Sequence, residues 1–369
     1  MPHEGRFIVD THGHITTLYR KKGGGETKVW NGLPSDPRDG EVEYFDNSPL
    51  TLYDMERYGI DMLILKPSVV GTTNEKQAEL VERYPNKFRA YCADQMTKIK
   101  AARGESKWSL EAAAQEVEDA LKTGKYVGIG EFVPRDWRRE KIYSFEERLE
   151  EYRVFMELAR KYNVVVDFHE FAWNYEWDVW KLLLRIASEY PDVPIVVCHG
   201  GHSIGAYIRK EDYIRRALEV AGFPLLRESN VFLEVGTWPA EYMKIAIDDP
   251  NVGPTRLLWG GDYGHVPQYI VSCPVGPESS ICATAMKKFP AIPSYQIDWW
   301  GWQLHQIRKL KDWYPQDIIN LILGGNAAKL YKLPVPYERM FLDGRPDVYG
   351  VDWEKSIPFI PKNLVINPD

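Results

Sequence analysis

Cysteine is scarce in this sequence. Only four, Cys92, Cys198, Cys273 and Cys282, occur in 369 residues, and none stands in a CxxC or paired spacing. That excludes a disulfide-built scaffold and matches a reducing compartment, so the chain is expected in the cytoplasm. Positive charge is short as well. The 46 Lys+Arg against 53 Asp+Glu leave a net charge of −7 and no basic footprint, which argues against a nucleic-acid partner. No apolar run approaches the roughly 18 residues of a membrane span. Met1 to Arg6 lead straight into a strand-like segment, without the layout of a signal peptide. Neither GxGxxG nor GxxxxGK[ST] occurs at a nucleotide-binding turn, which weakens a doubly wound sheet. What remains, 44% hydrophobic and 27% charged residues with 28 Gly and 25 Pro, is the composition of a globular protein.

Short runs rich in Val, Ile and Leu recur along the chain: Phe7 to Asp10, Met62 to Lys66, Phe88 to Ala93, Tyr126 to Glu131, Val164 to His169, Ile195 to His199, Val231 to Val235 and Leu257 to Trp259. Amphipathic stretches lie between them, among them Ser109 to Lys122, Phe145 to Tyr162, Glu176 to Tyr190 and Trp238 to Ile247. Continuous apolar strands alternating with helices predict a parallel sheet covered on both faces. Eight such strands predict an α/β fold, a (β/α)8 TIM barrel in one domain spanning residues 1–369. Residues 16–48 and 264–297 break the alternation and read as long loop insertions after strands one and eight. Both follow a strand, which puts them on the catalytic face of a barrel. Residues 332–369 read as a Pro-rich tail, and no internal repeat is visible.

The histidines carry the chemistry. His12 and His14 form His-Gly-His where the first strand should end, and residues two apart in a strand point the same way. They can therefore reach one ion together. His169 closes the fifth strand, His199 the sixth, and Asp262 follows the eighth through Gly260-Gly261. Imidazoles and a carboxylate converging from separate strand ends suit Zn²⁺ or a similar first-row divalent ion.

These residues resemble the amidohydrolase superfamily. The chain is most similar to the amidohydrolase-related branch that includes aminocarboxymuconate semialdehyde decarboxylase, resorcylate-type decarboxylases and several lactone hydrolases. The likeness extends to Tyr53 to Asp61 before strand two, Tyr84-Pro85-Asn86-Lys87-Phe88 before strand three, and Gly324 to Tyr331 near the end, covering about residues 6–333. It implies that His12, His14, His169 and Asp262 hold a divalent metal, Zn²⁺ first and Mn²⁺ second, as one ion or two. It implies that Asp262 moves a proton, and that His199 acts as a base or as a ligand of a second ion. It also implies a homo-oligomer, a dimer or larger. Val127-Gly128-Ile129-Gly130-Glu131-Phe132 puts Glu131 where the TatD-type binuclear hydrolases carry a bridging glutamate. The alternative is a carboxylate that fixes a histidine or pairs with Arg135 or Lys66. Lysine carbamylation is not expected, since strand four carries Glu131 at that place.

Substrate contacts are sought in the loops past the strands. Arg135, beside Trp137, Arg138 and Arg139, could grip a carboxylate or simply form a solvated charge run. Trp173, Tyr175, Trp177, Trp238 and Tyr263 follow strands five, seven and eight; 13 Trp and 22 Tyr suggest a ring substrate, or lid and core packing. His202 and His265 flank the ligand set, and Lys66 ends strand two. Trp299, Trp300 and Trp302 read as packing or a subunit contact. Two reactions fit these residues. One is hydrolysis of an ester, lactone or amide in a small cyclic or aromatic carboxylated compound by metal-activated water. The other is non-oxidative decarboxylation of an aromatic or muconate-type acid. The first is favoured by Glu131 and by features of some decarboxylases missing here: a Glu three residues past the strand-six histidine, where His202 stands, and an Arg in the first long loop, absent from residues 40–48. A third reading, a binding scaffold without catalysis, leaves the intact ligand set unexplained.

Overall fold

The structure, a computed structural model, describes residues 7–15, 19–21, 42–44, 48–67, 73–102, 104–132, 144–169, 179–201, 230–236, 238–263 and 299–334. In chain order the strands are β1 (Val9–Gly13), β2 (Tyr19–Lys21), β3 (Val42–Tyr44), β4 (Met62–Leu65), β5 (Phe88–Cys92), β6 (Tyr126–Phe132), β7 (Val165–Phe168), β8 (Ile195–Val197), β9 (Val231–Glu234) and β10 (Leu257–Leu258). The helices are α1 (Ser48–Tyr58), α2 (Asn74–Arg83), α3 (Gln95–Ala102), α4 (Leu110–Lys122), α5 (Phe145–Tyr162), α6 (Val179–Glu189), α7 (Ala240–Asp248), α8 (Trp299–Lys309), α9 (Gln316–Asn320) and α10 (Asn326–Leu330).

Eight of these strands form one parallel sheet in the order β1-β4-β5-β6-β7-β8-β9-β10. Just past β10 the chain returns to the first strand. Thr11 donates its backbone N–H to Trp259 O (2.9 Å), His14 to Tyr263 O (2.6 Å), and Tyr263 to His12 O (3.1 Å). The ring is thereby closed into a (β/α)8 barrel, as the alternation of runs predicts. The first insertion, expected as loop, contains a two-stranded antiparallel ribbon, Tyr19 opposite Tyr44 and Lys21 opposite Val42. The second, residues 264–297, lies outside the described residues, as does the tail beyond residue 334. Among the described residues no helix is long and apolar enough to cross a membrane.

Local chemistry explains why the elements start and stop where they do. Ser144 and Glu147 form a capping box at the start of α5, and Asn163 ends that helix in the left-handed conformation (φ 55°). Ser109 caps α4 through the Ala112 N–H.

Period-two alternation along the strands divides the core in two. Ile8, Leu63, Leu65, Val166, Ile195 and Val197 pack outward under the helices, while Val9, Met62, Ile64, Val165, Val196 and Leu258 fill the barrel axis with Tyr91 and Tyr331. Polar residues of that inward parity stand just beyond this apolar plug, toward the C-terminal strand ends. Thr11, Lys66, Asp167, Cys198 and Glu234 are all buried there. This layer is the floor of the site.

Candidate metal centre

β1 carries His12, and His14 follows directly after its last residue. His12 Nε2 lies 3.1 Å from His14 Nε2, and the rings meet edge to face at 5.0 Å. Asp262 Oδ1 stands 3.5 Å from His12 Nε2 and 3.3 Å from His14 Nε2, and Glu131 Oε1 stands 2.6 Å from His12 Nε2 and 3.9 Å from His14 Nε2. Of three groups of possible ligand atoms among the described residues, two, His12–His14–Asp262 and His12–Glu131–Cys198, share His12. Asp262 has the most open side chain, 15% exposed against 0% for His12, 3% for His14 and 5% for Glu131, so the centre faces outward on that side.

The donor set calls for positive charge. His14 Nδ1 is 3.1 Å from Lys66 O, a pure acceptor, so Nδ1 carries the proton and Nε2 presents a lone pair. That lone pair faces His12 Nε2 and two carboxylates. Burial and the Lys66 ammonium push the His12 imidazole down, yet Glu131 and Glu234 outweigh them and hold it well above the usual histidine range. Burial alone would raise Glu131, but His12, His169 and His14 hold it well below the carboxylate range. A cluster of imidazole and carboxylate donors that draws a proton this strongly is chemically suited to a divalent cation.

The histidines of β7 and β8 stand beside this group. The His169 ring is 6.4 Å from His12 and 5.1 Å from His199, and its backbone N–H donates to Phe132 O. His199 stacks on His12 at 4.9 Å, with Nε2 3.9 Å from Asp262 Oδ2. Burial drives its pKa down to about 3, with Asp262 opposing and His12 and His169 adding to the effect. His199 is therefore neutral at working pH, and its Nδ1 has no hydrogen-bond partner among the described residues. Both His199 (φ 55°) and Asp262 (φ 53°) sit in the left-handed region, where His and Asp are tolerated better than most side chains. Strain held at two site residues accords with a constrained functional geometry.

Several supporting residues escape sequence reading. Glu234, on β9, accepts from His12 Nδ1 (2.8 Å), from Thr11 Oγ1 (3.0 Å) and from Lys66 Nζ (2.5 Å). It orients the ligand histidine, the usual partner of a metal-binding imidazole. Lys66, expected at the substrate, instead has a side chain 0% exposed and an ammonium 2.5 Å from both Asp167 Oδ2 and Glu234 Oε1. Its alternation with Met62 and Ile64 turns it inward, below the ligands. Cys198 Sγ lies 3.7 Å from Glu131 Oε1 and 3.4 Å from Lys66 Nζ. Period-two parity with apolar inward neighbours is the one signal that marks these residues in the sequence.

Asp10 ties the two ends of the ring together. It accepts from His12 N (2.9 Å), Gly261 N (2.6 Å) and Trp300 Nε1 (2.6 Å). Trp300 in turn stacks on Tyr263 at 3.8 Å, and Gln303 bonds Gly261 O and Trp259 Nε1. Trp238, 0% exposed, donates to the His199 carbonyl. These aromatics brace the site from behind rather than line it. Arg135, Trp173, His202 and His265 lie outside the described residues, as do Trp137, Arg138, Arg139, Tyr175 and Trp177.

Burial raises the Asp10 carboxyl from 3.8 to about 7, against three hydrogen bonds and His12 that lower it. A raised carboxyl contributes stability that is full below its unfolded pKa and lost as pH rises through the folded one. In chelator-treated protein, stability relative to Asp10→Asn should therefore decline between 3.8 and about 7. Denaturant midpoints across that range measure it, and a flat difference would rule out the buried charge.

Comparison with known proteins fits this geometry. The signature of the amidohydrolase family matches residues 9–333. The chain belongs to that family. Membership makes it an enzyme of amidohydrolase type, with candidate ligands for a divalent metal. No curated protein matches the sequence. Among solved structures, 4-oxalomesaconate hydratase from Rhodopseudomonas palustris is similar at TM-score 0.52 and 14% identity, over 88% of this chain and 96% of that one. A TatD homologue from Escherichia coli gives 0.48 and 15%, over 89% and 98%. A phosphotriesterase homology protein from the same organism gives 0.47 and 11%, over 90% and 99%. At such identities the likeness is one of fold. In this amidohydrolase the matched span runs from β1 to just past α10, and so takes in every strand of the barrel.

Proposed function

We propose that this amidohydrolase is a metal-dependent hydrolase that opens an ester, lactone or amide bond in a small cyclic or aromatic carboxylated compound. The observation that carries the reading is the place of Glu131. Its Oε1 stands 2.6 Å from His12 Nε2, among the ligand atoms, instead of on Lys66, whose ammonium goes to Asp167 and Glu234. A carboxylate there, sharing His12 with the His14–Asp262 group, suits a bridged pair of ions. His12, His14 and Asp262 would hold one ion, with Glu131 and His169 on the side of a second. When bound, Zn²⁺, or Mn²⁺ in its place, acidifies a water to a pKa of about 7 and polarises a carbonyl.

The chain's own groups divide the remaining work. Asp262, the most open carboxylate, receives the proton of the attacking water and passes it to the leaving group. His199, neutral and stacked on His12, offers an N–H to the oxygen on which charge develops. Arg135, His202, His265 and Trp173, in the segments that follow β6, β8, β10 and β7, contact the substrate and its carboxylate.

Elemental analysis of the purified protein against a chelated control tests the reading. About two ions per chain are expected, falling to about one in Glu131→Gln, with turnover on a panel of lactones, esters and amides. One ion per chain in both proteins, with CO₂ released from aromatic carboxylates, would replace the hydrolase by the decarboxylase.

A further inference from the structure

The ring of His199 makes no hydrogen bond among the described residues. Its Nδ1 is buried without a partner, and its Nε2 stands 3.9 Å from Asp262 Oδ2, beyond hydrogen-bond reach. It nevertheless lies stacked on His12 at 4.9 Å and edge-on to His169 at 5.1 Å. With no polar anchor of its own, the ring is aimed by the backbone that carries it. His199 (φ 55°, ψ 17°), Gly200 (φ 59°, ψ 29°) and Gly201 (φ 74°) follow one another through the left-handed region. The two glycines adopt it freely, but His199 is strained there and stays only if its neighbours hold it. Trp238 is placed to do so. Its Nε1 donates to the His199 carbonyl at 2.8 Å. Its ring lies over Gly200, where an added Cβ would meet Cζ2 at 2.3 Å and Cε2 at 2.8 Å. No other side chain among the described residues hydrogen-bonds the backbone of residues 198–201. Trp238 is itself fixed. It is 0% exposed, its N–H donates to Val235 O (2.9 Å), and Pro239 joins it to α7, whose Ala240 N–H donates to Gln306 Oε1 (3.2 Å).

We propose that Trp238 is the positioning residue of His199: through the His199 carbonyl it holds the left-handed turn that lays the imidazole against His12 and beside Asp262. Its effect on rate rests on the reading above, in which His199 donates to the oxygen where charge develops. Such a donor has to stand in place before the reaction begins. A ring without a hydrogen bond can be kept there only from its backbone. Remove the indole N–H, and the His199 carbonyl is left buried without this donor. The turn is then free to relax out of the left-handed region, and the ring goes with it. A tryptophan that merely fills the core is the competing explanation. That role needs the volume of the ring but not its N–H.

The test separates N–H from volume. Trp238→Phe removes both and risks misfolding, so the decisive variant carries benzothienylalanine at position 238, which keeps the indole shape and lacks the N–H. Two readouts are taken on the full chain. One is the NMR resonance of the His199 ring in protein with isotope-labelled histidine, assigned by its absence from His199→Gln. The other is kcat and KM on the panel of lactones, esters and amides. The His199 resonance should move in the benzothienylalanine protein while its denaturant midpoint stays at wild type. Its kcat should fall about 10–100-fold with KM little changed. Adding benzothienylalanine to His199→Gln should cost nothing further, because Trp238 acts through His199. An unmoved His199 resonance would overturn the proposal, as would a loss of kcat of the same size with and without His199. Equal turnover by wild type and His199→Gln, or none by either, would instead overturn the role given to His199 in the reaction, and the resonance would still decide its placement.

Discussion

Replacing His12 or Asp262 by Ala is expected to remove metal and activity together, activity falling by at least about 100-fold, beyond what loss of a ligand's hydrogen-bond partner costs. His12 belongs to two of the groups of ligand atoms, and it meets Glu131, His14, Asp262 and Glu234 through its two ring nitrogens. Without it Glu131, Asp262 and Glu234 lose the imidazole between them. Asp262 is the carboxylate on the open side and the candidate proton carrier. Its loss takes away a ligand and a base at once. The check is metal content beside turnover on the same preparations. A variant that is fully active and free of metal would end the metal-centre reading.

Gly261→Ala should be the most damaging of the small changes near the site. A Cβ at Gly261 would lie 2.2 Å from Asp10 Oδ2 and 2.6 Å from Trp300 Nε1, in the middle of the contact that joins β1 to the end of the eighth barrel strand. Neither partner has room to retreat, since Asp10 and Trp300 are both 0% exposed. Overpacking of this kind costs about 1–3 kcal/mol. The shift also moves Asp262, the next residue, so metal affinity should fall with stability. Gly124→Ala is the control. Its φ of +70° is unfavourable to alanine, but nothing lies within 4 Å of a Cβ there. It should cost about 1–2 kcal/mol of backbone strain with no change in metal binding. Denaturant midpoints and metal titration on both variants measure the contrast, and a Gly261→Ala protein with wild-type values on both would refute the packing argument.

Why part of this site was legible in the sequence and part was not follows from the range of the forces involved. Each barrel strand announces itself locally, as a run such as Met62-Leu63-Ile64-Leu65 bounded by turn residues, because burial on both faces demands continuous apolar side chains. His12, His14, His199 and Asp262 are legible for a related reason: in a parallel barrel every strand's C-terminal end faces the same rim, so place in the chain gives place in space. Glu131 belongs to the same class, although only the structure shows its oxygen against His12 rather than Lys66. Lys66 misled for want of one coordinate. Its position at a strand end was clear, but whether it points to the rim or the axis depends on parity within β4. The aromatics misled through composition. Trp238 and Tyr263 suggested a ring-binding pocket or core packing, and at 0% and 3% exposed both are packing, as Trp300 was expected to be.

Taken alone, the sequence determined the eight-strand alternation, the rim on which chemistry gathers and the residues that could ligate a cation, because those depend on local hydrophobic patterning and chain order. Tertiary structure decided which inward groups meet. Glu234 reaches His12 across 222 residues of chain, and Asp10 reaches Trp300 across 290. Such contacts depend on strand register and on how closing the ring brings distant strands together, and they are held by buried charge whose partners no local pattern can name. The ionic floor under His12 exists only once the barrel has closed, since only then do β1, β4, β7, β8 and β9 point their polar side chains at one another.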